Sequence, residues 1–76
     1  MFERIECNPQ ILGGKPCVKG TRLSVEFILE LLASGGNIYT ISEKYPQLSL
    51  EDVQEAIQYA AHFLENEVIV GVGSQK

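Results

Sequence analysis

Apolar residues recur with helical spacing in the first half of the chain. The stripe that repeats every three or four residues, as in an amphipathic helix, comprises Val25, Ile28, Leu29 and Leu32. Ser24 is a good N-cap for this helix, and the pair Gly35 and Gly36 ends it. Phe27 and Leu31 form a second apolar row beside the stripe. Either the helix is nearly central in the fold, or its second row meets a partner.

A short second helix is predicted over residues 38–45. Asn37 is a suitable N-cap, and Ile38, Ile41 and Tyr45 lie on one side of the segment. Pro46 ends this helix because a proline disfavours helical geometry in the residue before it.

The longest helix is predicted to begin after Ser49 and to end near residue 65 or 66. Ser49 and Asp52 have the spacing of a capping box, with aspartate in place of the usual glutamate or glutamine. The residues expected to face the core are Val53, Ile57, Ala60, Ala61 and Leu64. A second face is expected to carry Ala56, Tyr59 and Phe63. A short helix, a tight turn and a longer helix are typical of a helix-turn-helix.

Two short extended segments are predicted before the first helix. In residues 2–7, Ile5 and Cys7 fall on one face of a strand between charged neighbours. Residues 16–23 form a second extended segment, because Pro16 blocks a helix and the residues after it favour strands. These strands either pair with each other or with a second chain. The expected fold is therefore mainly α: three helices preceded by two short N-terminal strands.

The chain has 76 residues, which is enough for one domain. Such a chain buries only about 60% of its unfolded surface, so we expect a homodimer, with a monomeric three-helix domain as the alternative. The expected domain covers residues 1–67 and includes an N-terminal arm, residues 1–23. Residues 68–76 are an apolar tail, expected to add a strand or to bind a partner. No signal segment or membrane-length apolar run is present, so a cytoplasmic location is expected.

Cations are concentrated at the N-terminus of a chain whose net charge is −4. Residues 1–23 hold four cations and two carboxylates, whereas residues 24–76 hold two cations and eight carboxylates. Three glycines among these cations are expected to shape a loop: Gly13, Gly14 and Gly20. The residues expected to contact DNA or another anion are Arg4, Lys15, Lys19, Thr21 and Arg22.

The candidate reactive groups lack the partners that catalysis needs. His62 is the only histidine, and we expect it on a helix surface or at an interface. Cys7 and Cys17 are expected as reduced thiols, with a disulfide between them as the alternative. The lysines near Cys17 would lower its pKa, but a buried small side chain is the favoured interpretation. The carboxylates expected on an outward helix face are Glu51, Asp52 and Glu55. We therefore expect no enzyme, cofactor or metal.

Four linked motifs give the chain a family resemblance. They are Gly-Gly-Lys-Pro, Lys-Gly-Thr-Arg, Tyr-Pro-x-Leu and Ala-x-x-Tyr-Ala-Ala, in this order. Together they resemble the bacterial domain-of-unknown-function family 433 over about residues 5–61. The resemblance implies a homeodomain-like helix-turn-helix and an antitoxin paired with a toxin of the PIN-domain ribonuclease type. Ile38 and Tyr39 depart from the family pattern, where more polar residues are common, and extend an apolar surface.

The resemblance implies DNA binding, which the charges support only in part. The helix expected in the major groove begins with three carboxylates, although Gln54 and Gln58 can read bases. We therefore expect any DNA contact from the N-terminal cations. The leading hypothesis is an antitoxin-like regulator that binds a toxin, with operator DNA as an additional ligand. The alternative is a homo-oligomeric interaction module with no nucleic-acid role. The residues expected at a partner or dimer interface are Phe27, Leu31, Tyr59 and Phe63.

Overall fold

The computed structural model describes the backbone of residues 2–75 and the side chains of residues 2–63. Its elements are two short strands and three helices: β1 (Ile5–Glu6), β2 (Cys17–Val18), α1 (Val25–Ala33), α2 (Ile38–Lys44) and α3 (Leu50–Gln75). A 3-10 turn, Leu12–Gly14, lies between the strands. This architecture confirms the predicted mainly helical fold with a small N-terminal sheet.

The two strands pair with each other in antiparallel orientation. Ile5 lies opposite Val18, and Glu6 lies opposite Cys17. Of the two pairings that the sequence left open, the chain therefore uses the internal one. Ile5 is buried, but Cys7 is exposed. The predicted shared face of Ile5 and Cys7 is wrong because β1 ends at Glu6.

A tight turn after β2 brings the chain back to α1. The Thr21 N–H donates to the Val18 carbonyl at 3.0 Å, and the Val18 N–H donates to the Leu23 carbonyl at 3.0 Å. Gly20 occupies the third position of this turn with φ 83°, a conformation that favours glycine. All three glycines predicted to shape this part of the chain have positive φ: Gly13, Gly14 and Gly20.

Local hydrogen bonds begin the helices where the sequence predicts. The Ser24 Oγ accepts from the Phe27 N–H at 2.9 Å and caps α1. The Asn37 side chain accepts from two backbone N–H groups in the first turn of α2. At the start of α3 the Ser49 Oγ accepts from the Asp52 N–H, and Asp52 Oδ2 accepts from the Ser49 N–H, both at 3.0 Å. This exchange is the predicted capping box.

The glycine pair also ends α1 as predicted. The Gly36 N–H donates to the Leu31 carbonyl at 3.0 Å, and the Gly35 N–H donates to the Leu32 carbonyl at 3.0 Å. These two bonds form a Schellman motif, in which Gly35 takes the left-handed conformation with φ 103°. The chain can therefore turn directly into α2.

The core lies between the sheet and the three helices. Its buried residues are Ile5, Cys17, Val18, Val25, Ile28, Ile41, Leu48, Val53 and Ala56. Two assignments on α3 are corrected: Ala56 is fully buried, although it was predicted on the second face, and Ala61 is exposed, although it was predicted in the core. Because Val53 and Ala56 are three residues apart, they face the core together. The side chain of Leu64 lies outside the described residues.

The helix α3 continues to Gln75, beyond the predicted end near residue 65 or 66. No proline follows Pro46, so the sequence contains no strong helix breaker at that point. The side chains of the predicted tail, residues 68–76, lie outside the described residues, so its role and the domain boundary stay predictions. Among the described residues, no helix is long and apolar enough to cross a membrane.

Candidate binding surfaces

Arg4, which was predicted to contact DNA or another anion, is bound to two carboxylates of α3. Its guanidinium lies 3.1 Å from Asp52 Oδ1 and 3.9 Å from Glu55 Oε1. The Arg4 backbone N–H also donates to Glu55 Oε2 at 2.7 Å. The side chains of Asp52 and Glu55 are only 16% and 18% exposed. Their predicted outward position is therefore wrong, because the N-terminal arm crosses the first turns of α3 and covers them.

This cluster changes the charge that the beginning of α3 presents to a ligand. Of its three carboxylates, Asp52 and Glu55 share the Arg4 cation, and Glu51 is exposed. Gln54 and Gln58 are exposed on the same helix. The leading end of α3 is thus less negative than its sequence implies. An anion that approached Arg4 would have to compete with two carboxylates.

The other predicted anion-binding residues lie on the loops beside β2. Lys15 Nζ is 3.1 Å from Glu26 Oε1, but both side chains are more than half exposed, so water screens this pair. The Thr21 hydroxyl has a structural role, since it donates to the Val18 carbonyl at 2.8 Å.

Two cations remain in the turn after β2. Lys19 and Arg22 are exposed and have no carboxylate within 4.0 Å among the residues whose side chains are described. They are the cations of the predicted set that are best placed to meet an anion.

Cys17 is fully buried in the small sheet. Burial raises the pKa of its thiol above the ordinary value of 9.0, Glu6 and Cys7 act in the same direction, and Arg22 opposes them. The suggestion that neighbouring lysines would lower this pKa is therefore wrong, because desolvation of the thiolate dominates. Cys7 and Cys17 are both free thiols. Cys17 is a packing residue in a site that disfavours its nucleophilic form.

His62 belongs to an aromatic cluster on α3 and the N-terminal arm. Its ring centroid lies 5.5 Å from that of Phe2 and 5.7 Å from that of Phe63. Tyr59 joins the cluster, and its hydroxyl lies 3.7 Å from Cys7 Sγ. Burial and this contact raise the pKa of Tyr59. Within the described part of the chain, no group of three or more His, Cys, Asp and Glu side chains could hold a metal ion.

The four residues predicted at one interface belong to two surfaces. Phe27 packs edge-to-face against Tyr45, with ring centroids 5.6 Å apart. Leu31 lines a pocket of about 260 Å³ between α1 and α2. Tyr59 and Phe63 lie on α3 with ring centroids 4.6 Å apart. The sequence pattern could not separate these pairs because it does not say which neighbour each face of α1 meets.

An apolar groove of about 400 Å³ opens between α1 and α3. Its walls comprise Pro16, Val25, Leu29, Tyr59, Ala60 and Phe63. Phe63 is 64% exposed. Tyr59 and Phe63 were predicted at an interface, whereas Leu29 and Ala60 were predicted on the core-facing stripes of their helices. Leu29 and Ala60 are only partly buried, because the packing of α1 against α3 leaves part of each side chain uncovered.

Comparisons with known proteins agree with the sequence motifs. The family described as "Protein of unknown function (DUF433)" matches residues 5–60. The "Uncharacterized protein y4eO" of Sinorhizobium fredii (strain NBRC 101917 / NGR234) is 36% identical over 58 residues, which are 76% of this chain and 26% of that protein. The chain thus spans about a quarter of the length of that relative. No solved structure matches. The chain belongs to the DUF433 family of proteins of unknown function.

Proposed function

We propose that this chain is an antitoxin-like regulator that acts by binding other macromolecules rather than by catalysis. The observation that carries this proposal is the coexistence of two different surfaces on one small domain. One is the apolar groove between α1 and α3. The other is the cationic turn that carries Lys19 and Arg22, and neither of these two residues lines the groove. Apolar grooves suit protein partners, and exposed cations suit nucleic acid.

The chemistry of the reactive side chains supports binding over catalysis. The buried Cys17 thiol has a raised pKa, which disfavours a thiolate nucleophile. Among the side chains that the structure describes, His62 contacts aromatic rings and neither a nucleophile nor a carboxylate. Two free thiols also suit a reducing compartment, so we place the activity in the cytoplasm.

The partner that we propose is a toxin of the PIN-domain ribonuclease type. Coexpression with the product of the neighbouring gene, followed by affinity purification and size measurement, tests this directly. We expect a stable complex that contains both chains. If the neighbouring product is unrelated to such a toxin, or if the two chains separate during purification, the toxin-binding part of the proposal fails.

DNA is the second proposed ligand, with Lys19 and Arg22 as phosphate contacts. Each cation that neutralises a phosphate contributes about 0.9 to the slope of log affinity against log salt. We expect binding to DNA from upstream of the gene, and we expect Lys19→Gln and Arg22→Gln each to reduce that slope by about one per bound chain. Lys44→Gln is a matched control, because Lys44 is an exposed cation at the end of α2.

The same measurement separates the two functional hypotheses. The alternative, an interaction module with no nucleic-acid role, is favoured by the engagement of Arg4 with Asp52 and Glu55. Absence of DNA binding at low salt would leave this alternative. Equal slopes for the Lys19 and Lys44 variants would show that DNA contacts a different surface.

A further inference from the structure

Phe63 and the groove between α1 and α3 lie side by side. The ring of Phe63 lines the groove, packs against Tyr59 at a centroid distance of 4.6 Å, and is still 64% exposed. The groove of about 400 Å³ is in the range of cavities that enclose a small organic ligand, and it can therefore admit an aromatic ring. One surface thus offers both an apolar projection and an apolar recess.

An exposed ring beside a recess can satisfy the geometry of a two-fold interface. In such an interface the same patch on two copies must be complementary to itself. Each copy therefore supplies an aromatic ring and accepts the ring of the other. A different partner would need only one of these two features.

The charges at the rim of the groove also suit a second copy. Lys15 and Glu26 line the groove and form an ion pair of 3.1 Å, so the rim has one cation and one anion. A rim with one charge of each sign is complementary to an identical rim. The net charge of the whole chain is −4, so a patch whose two charges cancel is a favourable place for two copies to meet.

We propose that the groove between α1 and α3 is a two-fold interface between two copies of this chain. Phe63 of each copy enters the groove of the other copy and packs between Leu29 and Ala60. This inference names the protein partner of the groove as a second copy of this chain, so in the dimer a toxin binds outside the groove. The dimer carries two cationic turns, one from each copy.

The test compares variants of the full chain alone by light scattering and analytical ultracentrifugation. The wild type is a dimer, and Phe63→Glu weakens self-association by on the order of 1,000-fold, because two apolar rings are lost from the interface. Ala60→Arg fills the groove and has a similar effect. Tyr39→Glu is the matched control, since Tyr39 is 63% exposed on α2 and does not line the groove; this variant stays dimeric.

Circular dichroism establishes that each variant is folded before its size is interpreted. Mixing the Phe63→Glu and Ala60→Arg chains then tests whether Phe63 of one copy enters the groove of the other, or whether the variants dissociate only because apolar surface is lost. The Ala60→Arg chain keeps the Phe63 ring, and the Phe63→Glu chain keeps the Leu29 and Ala60 walls of the groove. Their mixture therefore restores one of the two contacts and also places the introduced arginine opposite the introduced glutamate. A heterodimer from two monomeric variants supports the proposal.

Several results would overturn the inference. The wild type could be monomeric. Tyr39→Glu could weaken the dimer as much as Phe63→Glu does. The two variants could also be folded monomers that do not associate when they are mixed. None of these measurements includes DNA or a toxin. A monomer that still copurifies with a toxin would therefore refute the two-fold interface and leave the proposed function standing.

Discussion

Loss of Arg4 should destabilise the fold more than its surface position suggests. The guanidinium is 46% exposed, but it lies 3.1 Å from Asp52 and 3.9 Å from Glu55, which are largely covered. Arg4→Met keeps an unbranched apolar stem and leaves two adjacent carboxylates without a cation. Each exposed ion pair contributes only about 0.2–1 kcal/mol, and the covered carboxylates add a desolvation cost. We expect a loss of about 1–2 kcal/mol in the free energy of unfolding.

Urea denaturation followed by circular dichroism measures this loss, and a double-mutant cycle assigns it. The cycle comprises Arg4→Met, Glu55→Gln and the combined variant, because Gln can still accept the Arg4 backbone N–H bond. For a domain of this size, 1 kcal/mol corresponds to about 4–8 °C in Tm. All variants are compared at one protein concentration, so that self-association contributes equally.

Lys15→Met is the matched control for Arg4→Met. The Lys15–Glu26 distance is also 3.1 Å, but the two side chains are 62% and 64% exposed, so we expect less than about 0.5 kcal/mol. Equal losses for Arg4→Met and Lys15→Met, or a coupling energy of zero between Arg4 and Glu55, would refute the argument from burial.

Four further predictions concern local structure. Gly20→Ala should lower the free energy of unfolding by about 1–2 kcal/mol, because φ at this position is 83°. A new Cβ meets no atom within 4 Å, so the whole loss comes from the backbone conformation; urea titration measures it. Ser24→Ala should cost about 1 kcal/mol by the same assay, through loss of the cap on α1. Ellman's reagent should find one accessible thiol, and none after Cys7→Ser, until urea exposes Cys17. Folding raises the pKa of Cys17 above 9.0, so the contribution of the neutral thiol to stability is present below pH 9.0 and is lost as pH rises through the folded pKa. Cys17→Ala should therefore weaken the loss of stability at alkaline pH.

The helix starts and the end of α1 follow from interactions between residues close in sequence. Ser24, Asn37 and Ser49 each cap a helix with a bond to a residue two or three positions ahead. Gly35 ends α1 through its own left-handed backbone conformation. Such features depend on a few neighbouring residues, so they were predictable without knowledge of the fold.

The orientation of α3 was less predictable because its apolar residues occupy more than one face. Periodicity alone permitted either Ala61 or Ala56 in the core, and the structure buries Ala56. The same ambiguity hid the groove, whose walls join Pro16 and Leu29 to residues of α3. Hydrophobic spacing indicates that a helix is amphipathic, but neighbouring elements decide which of two apolar faces is covered.

The family, the order of the elements and the helix caps were thus readable in the linear chain, because motifs and caps are local. Tertiary structure decided which charges meet. Arg4 bonds to residues 48 and 51 positions away, so a cation that the linear charge count offers to an anionic ligand lies against two carboxylates of α3. It also divided the predicted aromatic interface between two surfaces. These outcomes depend on long-range packing, because a side chain's partners are chosen only when distant segments come together.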